Sequence, residues 1–166
     1  ITPLRREALI LWLFSRMADA LHHAHARGII HGDIKPANLL IRNDGEPALL
    51  DFNLSRKLDA EPAAIGGTLP YMSPESMQVL MGSKIPISPT SDLYSLGAVL
   101  YQFLTGRLAY PSPRSAAAID LELAIAERQE SVKWEVSDQV SPSLRAIVEK
   151  CLAASMSHRY ASADQL

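Results

Sequence analysis

Two polar segments constrain this chain more than any other feature: HGDIKPANLLI at 31–41 and DFN at 51–53. Between them, Asn43-Asp44-Gly45 is typical of a tight hairpin turn, and it is flanked by the apolar runs 39–41 and 48–50. A two-stranded ribbon is therefore predicted here. The ends of such a ribbon meet, so we expect the polar groups before the first strand to lie close to those after the second.

Four of these polar side chains match the needs of one reaction. Phosphoryl transfer from a nucleotide uses a carboxylate that takes a proton from the accepting hydroxyl, hard oxygen ligands for Mg²⁺, and a cation that opposes the phosphate charge. Asp33 provides the carboxylate and Lys35 the cation. Asn38 and Asp51 provide the oxygen ligands. Pro36 stiffens the loop that carries three of the four.

The two segments resemble the catalytic loop (31–38) and the metal-binding loop of the eukaryotic-type serine/threonine protein kinases. Further motifs occur in the order typical of that family: GTLPYMSPE at 67–75, SDLYSLGAVLYQFLTG at 91–106 and KCLAASMSHRYASADQL at 150–166. They resemble the end of the activation segment, the central helix of the large lobe and its closing helices. The resemblance implies a mainly α, kinase-like C-terminal lobe across 1–166. A small β ribbon carries its catalytic loop, 51–75 form its metal loop and activation segment, and its central helix spans about 91–105.

The resemblance also implies roles for individual residues, with ATP and Mg²⁺ as cofactors. Asp33 would be the catalytic base, and Lys35 would act in catalysis and contact the phosphate of ATP. Asn38 and Asp51 would bind magnesium, with Asn38 also part of the nucleotide site. Leu40 would form the floor beneath adenine.

Six further residues would support the site rather than act in it: His31, Phe52, Thr68, Glu75, Asp92 and Arg159. Thr68 would steady the catalytic loop, and Asp92 would cap the backbone of that loop. Glu75 would form a partly buried ion pair with Arg159. The two aromatic rings of the set would stack in a buried column that links the metal loop to the central helix.

The chain departs from the family pattern around its activation segment. Gly32 stands where the family usually has an arginine that grips a phosphorylated loop, and residues 56–67 contain no serine, threonine or tyrosine. We therefore predict that phosphorylation in 56–67 does not activate this kinase, which mutation of Ser55 and Thr68 would test. Asn53 replaces the glycine after Asp-Phe, and asparagine tolerates the left-handed backbone region, so the loop can keep its shape.

A second departure concerns the small lobe, which in the family carries a glycine-rich phosphate loop and a lysine held by a helix glutamate. No G-x-G-x-x-G occurs in these 166 residues, and a helix occupies the sequence before the catalytic loop. We expect the chain to be part of a longer kinase whose small lobe lies elsewhere, and we expect it to be inactive alone.

Composition indicates one globular domain without a nucleic-acid footprint: 48% hydrophobic, 20% charged and a net charge of −2. The longest apolar run, 8–14, is too short to span a bilayer, so no membrane contact is expected within this segment. A cytoplasmic location is expected, although an anchor elsewhere in the parent protein would change it. A protein substrate and the small lobe are the expected partners. The one cysteine, Cys151, is expected in the core.

Helical spacing of apolar residues predicts the remaining elements. A first helix would bury Leu9, Leu13, Met17, Leu21 and Ala24 and end at Gly28, with His22, His23 and His25 near its end. A helix end at which the dipole favours histidine is the preferred interpretation, and zinc binding by His22 and His25 is the alternative. The central helix would be capped by Ser91 and stopped by Gly106. Further helices are predicted over 116–130 and after Ser141-Pro142, with a loop at 81–89.

Two other functions stay open from the sequence. His-Gly-Asp followed by an asparagine also occurs in small-molecule phosphotransferases of the aminoglycoside or choline type. Those enzymes lack the segment at 67–75 and do not usually carry Lys35-Pro36. Gly32 and Asn53 suggest a pseudokinase or scaffold, but the retained Asp33 and Asp51 favour catalysis.

Overall fold

The computed structural model describes residues 2–52, 56–57 and 67–166. Its described helices are α1 (Pro3–His25), α2 (Pro74–Leu80), α3 (Pro89–Thr105), α4 (Ala118–Glu127) and α5 (Pro142–Cys151). Its described strands are β1 (Ile29–Ile30), β2 (Leu39–Ile41), β3 (Pro47–Leu49) and β4 (Arg56–Lys57). The mainly α fold predicted from the sequence is confirmed. None of the described helices is long and apolar enough to cross a bilayer.

The predicted hairpin is present, with β2 and β3 antiparallel and Leu39 opposite Leu49. Gly45 has a φ of 85° in the turn, a value that glycine adopts without steric cost. The second strand begins and ends one residue earlier than predicted, so Leu50 follows the strand. A second antiparallel pair joins β1 to β4, with Ile30 opposite Arg56.

Helix α3 runs through the centre of the molecule, and eleven of its residues are buried. The sequence predicted Ser91 as its N-cap, and this prediction is wrong. The helix begins at Pro89 after the N-cap Ser88, because proline is well suited to the first helical position, where no amide partner is needed. Gly106, with a φ of 75°, ends the helix as predicted.

Helix α1 packs on α3 through a stripe that differs from the predicted one. Its buried members are Ile10, Phe14, Met17, Ala18, Leu21 and Ala24, whereas Leu9 is 56% exposed. All of residues 8–14 are apolar, so the spacing in this half of the helix fitted two faces equally well. The helix ends at His25, and Gly28 lies in the turn that follows it.

Helix α5 completes the main core, whereas the buried residues of α4 belong to a separate cluster. Helix α4 is shorter than the predicted 116–130, and α5 begins at Pro142 after the N-cap Ser141, as expected. Cys151 of α5 is fully buried against Gly97 of α3, and a Cβ atom at Gly97 would lie 2.4 Å from the Cβ of Cys151. Burial raises the pKa of the Cys151 thiol to about 12, which agrees with a core role.

A smaller apolar cluster lies apart from the main core. It joins α2 and α4 to the turn Leu69–Tyr71, and its buried members are Met72, Met77, Leu121 and Ala124. This cluster fixes α4 against the end of the activation segment.

Candidate active site

Asp33 lies in the loop between β1 and β2, and its carboxylate is largely buried. Lys35 Nζ lies 2.5 Å from its Oδ2, and the Thr68 hydroxyl donates to its Oδ1 at 2.8 Å. Burial alone would raise the pKa of Asp33, but the hydrogen bonds from Lys35 and Thr68 and the lysine charge outweigh it and lower that pKa. The carboxylate is therefore ionised at neutral pH.

Asp92, in the first turn of α3, holds the backbone that precedes Asp33. Its Oδ2 accepts from the His31 amide at 2.8 Å, and its Oδ1 accepts from the Gly32 amide at 2.9 Å. Gly32 has a φ of 78°, so a side chain at this position would be strained. The Asp92 carboxylate thus fixes the unusual turn that presents Asp33.

His25 is a further partner of Asp92 that sequence reasoning missed. Its Nε2 lies 2.7 Å from Asp92 Oδ2, and its ring is buried. Sixty-seven residues separate the two. The sequence showed His25 only as one of three histidines near a helix end, and no local signal pointed to this contact.

The His31 ring connects the catalytic loop to the chain before Asp51. Its Nε2 lies 3.0 Å from the Leu50 carbonyl, and its Nδ1 lies 3.3 Å from the Asp33 amide nitrogen. A carbonyl only accepts and an amide N–H only donates, so the two contacts together fit the tautomer that carries its hydrogen on Nε2. The imidazole is therefore a structural link, held in one tautomer by both contacts.

Asn38 and Asp51 are brought together through the main chain of Leu50. The Asn38 amide donates from Nδ2 to the Asp33 carbonyl at 2.8 Å, so its Oδ1 is the atom that could serve as an oxygen ligand. The Leu50 amide donates to the Asn38 carbonyl at 2.9 Å, so Asp51 follows directly on that contact. Asp51 is exposed and has a φ of 64°, in the left-handed region that aspartate tolerates better than most residues.

These oxygens suit magnesium. An amide oxygen and a carboxylate are hard ligands, and Mg²⁺ commonly takes one or two protein ligands and completes its shell with water and phosphate. The described residues contain no group of three or more His, Cys, Asp or Glu that could hold a metal. Asn38 and Asp51 could offer two oxygen ligands of this kind.

Leu40, Ile41, Leu50 and Phe52, which lie close to the loop in sequence, are exposed apolar residues. Side chains alternate along a strand, so Leu39 packs on the core while Leu40 points away from it. The Phe52 ring lies 4.5 Å from the His31 ring, but Phe52 is 39% exposed. The predicted ring contact is present, whereas the expected burial of Phe52 is wrong for this chain.

Glu75 and Arg159 meet in the interior, and both are almost fully buried. The guanidinium donates to both carboxylate oxygens, at 2.6 and 2.9 Å, and the Ser91 hydroxyl donates to Oε1 at 2.7 Å. Burial alone would raise the pKa of Glu75, but Arg159 and Ser91 together lower it. Ser91, predicted as a helix cap, instead completes this buried cluster.

Asn53, Ser55 and residues 58–66 lie outside the described residues. The backbone shape at Asn53 and the absence of an activating phosphate between 56 and 67 stay predictions.

The arrangement offers an ionised carboxylate beside an ammonium, with oxygen ligands and exposed apolar residues close by in sequence. Comparison with known families matches residues 5–166 to the protein kinase domain. The chain is 36% identical over 170 residues to the serine/threonine-protein kinase Pkn1 of Myxococcus xanthus, covering 97% of the chain and 23% of that protein. It is 32% identical over 158 residues to PrkC of Bacillus subtilis, covering 93% of the chain and 23% of PrkC.

A probable serine/threonine-protein kinase of Streptomyces coelicolor is 34% identical over 155 residues, covering 89% of the chain and 22% of that protein. The chain thus spans less than a quarter of the length of these relatives. The family match, in contrast, extends over nearly all of the chain. This chain belongs to the protein kinase domain family.

Proposed function

We propose that the protein carrying this chain transfers the γ-phosphoryl group of ATP to serine or threonine hydroxyls of proteins, with Mg²⁺. The observation that carries the proposal is the buried Asp33 carboxylate, held at 2.5 Å by Lys35 and at 2.8 Å by Thr68. A base fixed at two oxygens in this way is oriented before the acceptor arrives.

Each residue has a defined part in the proposed reaction. Asp33 accepts a hydrogen bond from the acceptor hydroxyl and takes its proton as the new P–O bond forms, while the bond from the γ-phosphorus to the β–γ bridging oxygen breaks and ADP leaves. Lys35 places a positive charge beside that carboxylate, where it can also oppose negative charge on the transferred phosphoryl group. Asn38 Oδ1 and the Asp51 carboxylate would hold Mg²⁺, which neutralises charge on the nucleotide phosphates.

A protein acceptor is favoured by the position of the activation segment. Through Thr68, the segment that begins at Gly67 touches the proposed base directly, so it borders the acceptor hydroxyl. A polypeptide can lie along such a segment, whereas a small acceptor needs an enclosed pocket. The relatives named above are serine/threonine-protein kinases, which supports this choice.

The test uses the complete gene product that carries this sequence. Three forms are purified: the wild type, Asp33→Asn and Asp51→Asn. Radiolabelled ATP, Mg²⁺ and a basic protein mixture are supplied, and phosphoamino acids are identified after hydrolysis. We expect phosphoserine or phosphothreonine with the wild type and a loss of about 10²–10⁴-fold with Asp33→Asn. Asp51→Asn should weaken the response to Mg²⁺.

The matched control is Asp19→Asn, because Asp19 is an exposed residue of α1 that forms a surface ion pair with Arg16. This variant should keep wild-type activity. A wild type that transfers no phosphate to protein, or an Asp33→Asn variant with full activity, would overturn the proposed function.

A further inference from the structure

Arg128 is the largest of the fully buried side chains, with 1% of its surface exposed. It follows the last residue of α4, and its Nη1 donates back to the Ala124 carbonyl at 2.9 Å. Its guanidinium lies over the Tyr110 ring, 5.4 Å from the ring centroid. The side chain is therefore held from both sides.

The other end of the guanidinium reaches the activation segment. Nη2 donates to the carbonyls of Leu69 and Pro70, at 3.3 and 3.4 Å. These residues belong to a tight turn in which the Tyr71 amide donates to Thr68 and the Met72 amide donates to Leu69. Arg128 thus spans from α4 to the backbone of this turn.

The charge of Arg128 has no acidic partner within ion-pair distance in the part of the chain that the structure describes. Arg159, in contrast, is buried with Glu75. Arginine cannot lose its proton in a protein, and burial of an unpaired charge is costly. An apolar side chain would fill the same space at lower cost, so what the guanidinium adds is its contact with the Tyr110 ring and its hydrogen bonds to main-chain carbonyls.

The turn to which Arg128 is hydrogen-bonded is linked to the proposed base through Thr68. Leu69 directly follows Thr68, whose hydroxyl donates to Asp33 at 2.8 Å. A shift of the Leu69 and Pro70 carbonyls would therefore move the side of the site that borders the acceptor hydroxyl. A misplacement of about 1 Å at such a position can cost about 10²-fold in rate.

We propose that Arg128 is a positioning residue for the protein acceptor: it sets the path of residues 68–70 beside Asp33 by holding their carbonyls to the end of α4. This role rests on the proposed kinase function. Arg128 acts through the backbone turn and touches neither the nucleotide nor the reacting atoms.

The test compares Arg128→Lys and Arg128→Met with a matched control, Arg145→Lys, all in the complete gene product. Arg145 also lies over an aromatic ring, Trp134, and donates to a carbonyl, that of Val140. Its contacts lie around the start of α5 rather than at the turn. Lysine at 128 keeps the charge but cannot reach all three carbonyls, whereas methionine keeps the approximate volume without charge.

The first readout is amide hydrogen exchange of Tyr71 and Met72, which does not depend on catalytic activity. We expect both Arg128 variants to lose about 10-fold in protection at these amides, the scale of one hydrogen bond, with Arg145→Lys unchanged there. This measurement tests the positioning role even if the wild type transfers no phosphate, so the two proposals can fail separately.

The second readout is steady-state kinetics. We expect KM for a protein or peptide acceptor to rise about 10-fold or more in Arg128→Lys, while KM for ATP changes less than about 2-fold. Unchanged protection at Tyr71 and Met72, equal changes in both KM values, or failure of both Arg128 variants to fold would overturn the proposal, because each result would mark Arg128 as a general stability residue.

Discussion

Arg159 and Glu75 lie 84 positions apart in the sequence, yet their side chains form a two-point ion pair in the interior, at 2.6 and 2.9 Å. The pair ties the first turn of α2 to the segment after α5. Breaking one side leaves an unpaired buried charge, so Arg159→Met should lower the free energy of unfolding by about 3–5 kcal/mol. Urea denaturation at neutral pH measures this change.

The control for that variant is Asp19→Asn, which breaks the exposed Arg16–Asp19 pair. Exposed pairs contribute about 0–1 kcal/mol, so this variant should be nearly neutral. Equal losses from the two variants would contradict the assignment of Glu75 and Arg159 as stability residues.

Acid should weaken the protein through Glu75. Its pKa in the folded state lies below the ordinary glutamate value of 4.5, so its contribution to stability is full above about pH 4.5 and is lost as pH falls through the folded pKa. Asp33, whose pKa is also lowered, adds a change of the same sign. Glu75→Gln should be less stable than the wild type at pH 7. Between pH 7 and pH 3, its urea midpoint should fall less steeply than that of the wild type. An acid decline as steep as that of the wild type would contradict this expectation.

His25 should matter for both stability and activity because it donates to the carboxylate that holds the catalytic loop. His25→Ala removes one of three donors to Asp92, and we expect a loss of about 1–3 kcal/mol in stability together with a lower kcat. His23 is an exposed residue of the same helix, so His23→Ala is the matched control. A His25→Ala enzyme with wild-type kcat would show that two backbone contacts suffice to fix the loop.

Gly97 allows α3 and α5 to approach closely. A methyl group at this position would clash with Cys151, so Gly97→Ala should cost about 1–3 kcal/mol despite the better helix propensity of alanine. Thermal denaturation of Gly97→Ala, Cys151→Gly and the double variant forms a cycle. We expect the double variant to lose less stability than the two single variants lose in total. Strict additivity of the losses would exclude the clash.

Residues 1–166 alone should not turn over, because they contain no G-x-G-x-x-G and hence no glycine-rich backbone donors for the phosphates of ATP. The purified piece is assayed for Mg²⁺-dependent phosphorylation of a generic basic protein, beside the complete gene product. Measurable transfer by the piece would refute this prediction.

Elements with strong local signals were predicted well from the sequence. Asn43-Asp44-Gly45 specified the hairpin because few other turns suit that triplet, and Gly106 ended α3 because it readily adopts a positive φ. The start of α3 was predicted wrongly, because Ser88 and Ser91 are both residues that commonly cap a helix. Only Pro89, between them, distinguishes the two.

Contacts over long sequence separations could not be predicted from local patterns. The bonds from His25 to Asp92 and from Arg128 to Leu69 join residues 67 and 59 positions apart. The two-residue strands β1 and β4 are likewise too short to carry a period. Asp92, Glu75 and Arg159 were named only because the family resemblance supplied what spacing alone does not.

The link at Leu50 has a consequence for how this region tolerates substitution. Its amide and its carbonyl, not its side chain, connect Asn38 and His31. Any residue with an N–H could make the same two bonds, and proline alone could not. Sequence variation at position 50 among related enzymes would therefore reveal little about its importance, because evolution can change the side chain while the main chain keeps the metal loop in register.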